Sequence, residues 1–253
     1  MKKKKSLGQH FLRSQSALAA VAAAADLAPG ERVLEIGPGE GALTEHLVRS
    51  GAQVTAVEKD HRLIPLLKEK FAETSFTVHE GDALELDMGT LGIGPPYKVV
   101  GNIPYYITGA LIRKFLTLPQ QPTRLVFLVQ KEVAERIARS KKESILSLSV
   151  KAYGAPKYIK TVPRGAFAPP PKVDSAILLV ENISRAHFKD QRHETRFFDL
   201  LHAGFGSKRK LLIRNVEKVL GKDTTEAFMR AELAPNVRAE DVPLTKWLKL
   251  AIG

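Results

Sequence analysis

Short apolar runs alternate with amphipathic stretches along the first two-thirds of the chain, and that alternation predicts elements in a regular order. Arg32–Ile36, Gln53–Val57, Phe76–His79, Lys98–Gly101 and Arg124–Val129 have strand length and are rich in β-branched residues. Between them apolar positions recur at helical spacing over Ala42–Ser50, Ile64–Ala72, Gly109–Leu118 and Glu132–Ser140, and Pro65 suits the first turn of the second. Ala17–Leu27, dense in the best helix-forming residue, precedes the first strand; Ser14 or Ser16 can cap it and Pro29-Gly30 stops it. Strand alternating with helix predicts a parallel, doubly wound α/β sheet. Leu146–Ala152 and Tyr158–Val162 read as further strands, and Val173–Val180 as a last edge strand. From Ser184 the pattern becomes helical throughout, over Phe197–Phe205, Lys208–Val219, Thr225–Leu233 and Leu244–Ile252. Residues 1–183 are therefore expected to form one domain, and residues 184–253 a small all-α domain.

The fourth strand ends unusually. Pro104 lacks the N–H that a central ladder needs, and it pushes Ile103 into an extended conformation. The chain thus leaves the sheet with Asn102 at the strand's carboxyl end and Tyr105 and Tyr106 just beyond, where open α/β sheets bind ligands. Gly37, Glu58, Asp82 and Asn102 follow successive strands at intervals of 21, 24 and 20 residues, so one βαβ step separates each from the next and all four can line one rim. An amide oxygen, a carbonyl-bearing turn and a flat aromatic ring suit a grip on the exocyclic amine of a planar base.

Gly37-Pro-Gly-Glu-Gly41 joins a strand to a helix, as nucleotide-cradling loops do. Gly37, Gly39 and Ala42 also satisfy the dinucleotide fingerprint, and Glu58 can accept both hydroxyls of a ribose, so NAD and S-adenosylmethionine both compete for the site. Glu40 at the helix entrance and Glu35 in the strand oppose a pyrophosphate and tolerate a sulfonium cation, which favours S-adenosylmethionine. Asp82 can accept a hydrogen bond from an adenine amino group; it also fits an ordinary turn after a strand.

Composition narrows the partners. A net charge of +12 points to a polyanion or an acidic membrane surface, and the absence of cysteine excludes disulfides and thiolate metal sites. No run approaches the length of a membrane span. Gly8–His10 and Arg13 interrupt any export signal built from Lys2–Lys5 and the alanine-rich segment, so a cytoplasmic protein is expected. The seven histidines are scattered, and no metal site is expected. Residues 184–253 carry 14 Lys and Arg against 9 Asp and Glu. Lys208, Arg209, Lys210 and Arg214 are expected to open a helix there and to contact RNA phosphates; a solvated basic face is the plainer alternative. Trp247 reads as a core anchor of this domain.

Gly8–Leu12, Glu35–Gly39, Gly81–Ala83, Gly101–Tyr105, Gln130–Val133 and Phe167–Ala176 together resemble the ribosomal RNA adenine N6,N6-dimethyltransferase family, across nearly the whole chain. Pro170–Ala176, Phe205–Lys210 and Met229–Glu232 resemble its bacterial small-subunit branch; Ile103, in a position where that branch often has leucine, is frequent in the erythromycin-resistance branch, which acts on large-subunit RNA. The resemblance implies a Rossmann-like class I S-adenosylmethionine-dependent methyltransferase sheet, and dimethylation of two adjacent adenines of 16S RNA in an immature small subunit. It implies that His10 and Leu12 close over the methionine end of the cofactor, that Gly37 borders it, and that Glu58 holds the ribose and Asp82 the adenine. Asn102, with the Ile103 or Pro104 carbonyl, would grip the target amine, Tyr105 would stack on the base, and Phe167 would cover its other face or else belong to the core. A monomer is expected, and a ribosome-assembly factor whose RNA binding outweighs its catalysis is a further reading.

Overall fold

The computed structural model describes residues 10–252, so the Lys2–Lys5 run and Gly8-Gln9 lie outside the described residues. The chain divides into two compact units. The first comprises the chain up to Ala134 together with Pro156–Ile183, and the second Glu135–Ala155 together with the chain from Ser184. The sequence reading assigns Glu135–Ala155 to the first of these.

Two sheets lie in the first unit. A short ribbon pairs β1 (Phe11–Leu12) antiparallel with β8 (Phe167–Ala168). The main sheet has seven strands: β2 (Arg32–Ile36), β3 (Gln53–Glu58), β4 (Phe76–Glu80), β5 (Lys98–Asn102), β6 (Arg124–Gln130), β7 (Ala155–Val162) and β9 (Ser175–Glu181). Their order is β4-β3-β2-β5-β6-β9-β7. The five strands from β4 to β6 pair parallel, and β9 runs antiparallel to β6. The chain works outward from β2 through β3 to β4, then crosses back to lay β5 on the other side of β2. That reversal opens a crevice at the carboxyl ends of β2 and β5, the place where a doubly wound sheet receives its ligand.

Helices cover both faces. Leu18 and Val21 of α1 (Gln15–Ala25), with Leu43 and Leu47 of α2 (Ala42–Arg49), pack on Val33, Val54, Val100 and Val126. Leu67 of α3 (Ile64–Lys70) meets Ala56 and Val78. On the opposite face Phe115 of α4 (Thr108–Thr117) lies with its ring 6.3 Å from that of Phe127. Ser14 caps α1, accepting the Ala17 N–H, an interaction worth about 1 kcal/mol.

The second unit is helical: α6 (Ile145–Lys151), α7 (Gln191–Phe205), α8 (Leu212–Leu220), α9 (Thr224–Arg230) and α10 (Leu244–Leu250); the passage into it at Glu135 falls within α5 (Lys131–Ala138). Trp247 is fully buried, stacked on Phe205 at 5.8 Å, as a core anchor would be. Gly204 permits this packing, since a Cβ there would stand 2.4 Å from the indole and 2.8 Å from Leu212.

Three expectations need correction. Leu146–Ala152 is not a strand: the alternation of leucine and serine imitates one, but Ser144 and Ser147 form a reciprocal capping box and the segment winds into α6. β9 is not an edge strand, because β7 pairs outside it, which explains why Ser175–Val180 is buried on both faces. Lys208–Lys210 do not open a helix; they form a turn, and α8 begins at Leu212. Among the described residues no helix is long and apolar enough to cross a membrane.

Candidate active site

At the sheet reversal one cavity is lined by His10, Leu12, Gly37, Glu58, Asp82, Asn102, Ile103, Pro104 and Tyr105. The structure thus brings together every residue singled out at the rim, all from the first unit. Phe167 is not among the lining residues. It is 5% exposed and packs in the core with Leu12, Leu18 and Val21, because its strand pairs with the N-terminal segment and turns the ring inward.

The glycine loop after β2 owes its shape to what crosses it. Gly37 donates its N–H to the Val57 carbonyl at 2.9 Å. Gly39 sits at φ +59°, and a Cβ there would come within 2.8 Å of the Phe11 ring. Phe11 and its neighbours form a strap along the cavity wall. Its backbone pairs with Phe167–Ala168, Arg13 N–H donates to the Ala166 carbonyl at 2.8 Å, and the Arg13 guanidinium pairs with Glu40.

Glu58 closes β3 and is 6% exposed. One carboxylate oxygen accepts the Gly39 N–H at 3.0 Å and the other the Asp60 N–H at 2.8 Å. Burial pushes its pKa above the ordinary carboxylate value, although these backbone N–H groups oppose the shift. Glu58 therefore fixes the loop while keeping further acceptor capacity on both oxygens. Asp82, after β4, accepts the Leu84 N–H at 2.9 Å and an ammonium proton of Lys59 at 2.6 Å. The Lys59 hydrogen bond is the main cause holding its pKa below the usual range.

Glu35 is a different matter. It is 1% exposed and accepts the Thr44 hydroxyl at 2.7 Å; burial pushes its pKa up to about 8. Burial thus favours its protonated form and weakens the electrostatic bias against phosphate expected from this residue. Glu40 is paired with the Arg13 guanidinium.

Asn102 ends β5. Its side-chain amide donates to the His10 carbonyl at 2.9 Å, which leaves the amide oxygen as the acceptor end. His10 Nδ1 in turn meets the Pro169 carbonyl at 2.9 Å, and its ring lies parallel to that of Tyr105 at 6.3 Å. The Tyr105 hydroxyl shares a 2.7 Å hydrogen bond with Ser175, and the Pro104 carbonyl accepts the Ile107 N–H at 3.2 Å. The result is a stiff turn that presents one amide oxygen and one phenol ring. Among the described residues no group of acidic or histidine side chains could hold a metal ion.

In the second unit Lys208, Arg209, Lys210 and Arg214 are all exposed. Asn215 pins the turn that carries the first three, donating to the Gly204 carbonyl at 2.6 Å and the Ser207 carbonyl at 3.1 Å. Sequence reasoning missed Asn215, Lys59, Phe11 and Arg13. Lys59 had a usable signal, since it directly follows the carboxylate at the end of β3; Phe11 and Arg13 act through contacts distant in sequence, and Asn215 through main-chain carbonyls 8 and 11 positions back.

A family model for ribosomal RNA adenine dimethylase matches residues 1–252. The ribosomal RNA small subunit methyltransferase A of Dehalococcoides mccartyi is 43% identical over 258 aligned positions, covering 100% of this chain and 88% of its own. Among solved structures, a dimethyladenosine transferase from Plasmodium falciparum superposes with a TM-score of 0.79 at 26% identity, covering 95% of this chain and 96% of its own. The 23S rRNA methyltransferase ErmE superposes with a TM-score of 0.78 at 28% identity, covering 95% and 98%.

Proposed function

Because this chain belongs to the ribosomal RNA adenine dimethylase family, we propose that it dimethylates N6 of two adjacent adenines in the 3′-terminal helix loop of small-subunit ribosomal RNA, in the cytoplasm, on an immature subunit. The observation that carries this reading is the orientation of Asn102. With its NH2 committed to His10, the amide oxygen is the group left to meet an exocyclic amine at the tip of β5.

S-adenosylmethionine would supply a methyl group activated by a sulfonium charge, and the cavity suits it: Glu58 offers acceptors for a ribose diol, Asp82 one for an adenine amine, and Leu12 an apolar wall. No row of unpaired cations marks a pyrophosphate subsite, since the lining residues Arg13 and Lys59 are both paired with carboxylates. The residues of the chain do the remaining work. Adenine N6 is a poor nucleophile because its lone pair delocalises into the ring. In the first transfer Asn102 Oδ1 and the Ile103 carbonyl would each accept one N6–H, and in the second one of them would accept the N6–H that remains, drawing nitrogen toward tetrahedral geometry and localising that pair. The Ile103 carbonyl is preferred to that of Pro104, which already takes the Ile107 N–H. Tyr105, braced by Ser175 and His10, would stack on the flipped base, a contact worth about 1–3 kcal/mol. Once methylated, N6 would release its proton to water, the amide and carbonyl oxygens serving to hold the amine rather than to ionise it. Positioning supplies most of the rate. Lys208, Arg209, Lys210 and Arg214 would hold the RNA by its phosphates.

Tritium transfer from labelled cofactor to unmethylated small and large subunits, offered separately, tests the reading. Label in N6,N6-dimethyladenosine of the small subunit alone is expected. Label confined to the large subunit would replace it with the second reading, which the likeness to ErmE supports.

A further inference from the structure

Lys114 has no place in the chemistry above, yet its bonds are specific. It projects from α4, and its ammonium donates to the main-chain carbonyls of Leu84 at 2.8 Å and Leu86 at 2.6 Å. Both belong to the loop that leaves β4 through Asp82, and Asp82, Ala83 and Leu84 line the cavity. Backbone carbonyls in such a loop need partners, and a lysine with three donors can serve two at once. The helix that carries Lys114 starts at Thr108, directly after the turn formed by Tyr105–Ile107. One side chain therefore ties the Asp82 wall of the cavity to the element that follows Asn102 and Tyr105. Burial lowers the Lys114 pKa, while Asp82, Asp87 and Glu85 of the same loop work against that shift.

We propose that Lys114 is a positioning residue for cofactor recognition: by holding the carbonyls of Leu84 and Leu86 it sets the wall against which the adenine of S-adenosylmethionine is read. This rests on the assignment of Asp82 to the cofactor's adenine. Lys114 acts through the loop and touches neither reactant. Its effect belongs to the adenine end of the ligand alone, which sets it apart from a general contribution to folding.

The test is calorimetry on the full-length protein with two probes, S-adenosylmethionine and 5′-methylthioadenosine, which keeps the adenine and ribose but lacks the amino-acid end. Lys114→Met preserves the aliphatic stem and removes the donors. It should weaken both ligands by the same factor, about tenfold. At saturating cofactor, kcat and the KM for RNA should stay within about twofold of wild type, because neither the amine grip nor the RNA contacts have changed. Lys114→Arg should restore most of the affinity and Lys114→Gln, with a shorter two-proton donor, part of it; that pair carries the comparison if the methionine variant does not fold. Unchanged affinity in the methionine variant overturns the proposal, as does a loss seen only with S-adenosylmethionine or one expressed only in kcat. If the wild-type protein itself binds neither probe, the cofactor assignment falls along with it.

Discussion

The side-chain amide of Asn102 and the main-chain carbonyl of His10 are joined by a 2.9 Å hydrogen bond across 92 positions of the chain. An asparagine amide is nearly symmetric in shape, so packing alone does not decide which end faces a ligand. The His10 carbonyl decides it here by accepting from nitrogen. His10 belongs to the strap that lines the cavity, and the strap is anchored through β1–β8 pairing and the Arg13–Glu40 ion pair. The orientation of the amide is thus set by a segment that itself lines the cavity.

Asn102→Asp should consequently fail almost as badly as Asn102→Ala, although aspartate keeps an acceptor oxygen. A carboxylate has no N–H for the His10 carbonyl and would be repelled by it. Single-turnover methyl transfer should fall by about 10²–10³-fold in both variants, the scale seen when one preorganised polar contact is lost from a transition state. Cofactor affinity by calorimetry should change by less than about threefold, since the contact is made to the target amine.

The rim is legible in the sequence because it is periodic. Each βαβ step delivers the next strand end to the same edge, so spacing alone collects Gly37, Glu58, Asp82 and Asn102, and the cavity collects the same four. Phe167 cannot be assigned that way. Its environment comes from pairing with Phe11–Leu12, some 155 residues distant in sequence, and no local pattern encodes that. The helix α6 escapes the pattern for a related reason. Leucine-serine alternation has the period of a strand, and the winning interaction is a capping box spanning only Ser144 to Ser147. Lys114 is silent in sequence altogether, as one of two adjacent cations, with Arg113, on an amphipathic helix.

Gly39→Ala should damage the strap. The position lies at φ +59°, which costs an alanine about 1–2 kcal/mol, and the new methyl would press on the Phe11 ring from 2.8 Å. Denaturant unfolding should show a loss of about 2–3 kcal/mol in all, with cofactor affinity reduced. Adding Phe11→Leu should return the steric part but not the backbone part. A double variant no better than Gly39→Ala would show that the ring is not what the glycine accommodates.

Glu35 predicts a pH dependence of stability. Its pKa is about 8 in the folded protein against 4.5 for an ordinary glutamate, so between those values the native state holds a proton that the unfolded chain has lost. Stability from this group is complete below pH 4.5 and declines as pH rises toward 8, by ~1.4 kcal/mol per pH unit at most. Glu58, also shifted upward by burial, adds in the same direction. Glu35→Gln retains an acceptor for the Thr44 hydroxyl and cannot ionise. Urea unfolding at pH 6 and pH 8 should therefore show a smaller decline in the variant; equal declines would mean that Glu35 does not titrate in this window.

The basic turn before α8 predicts a salt signature. Lys208, Arg209 and Lys210 are exposed and lie on a turn fixed by Asn215, so each is available for a phosphate. Every such contact releases counterions, and its loss should flatten the plot of log affinity against log salt by about 0.7–0.9. The triple alanine variant should bind RNA more weakly at low salt, with a slope shallower by about two if most of the three engage, and with unchanged cofactor affinity. Asn215→Ala keeps every charge but frees the turn from the Gly204 and Ser207 carbonyls. It should weaken RNA binding with little change in slope, because the cations persist and only their arrangement is lost. A slope as shallow as that of the triple variant would mean that Asn215 contributes to phosphate binding directly.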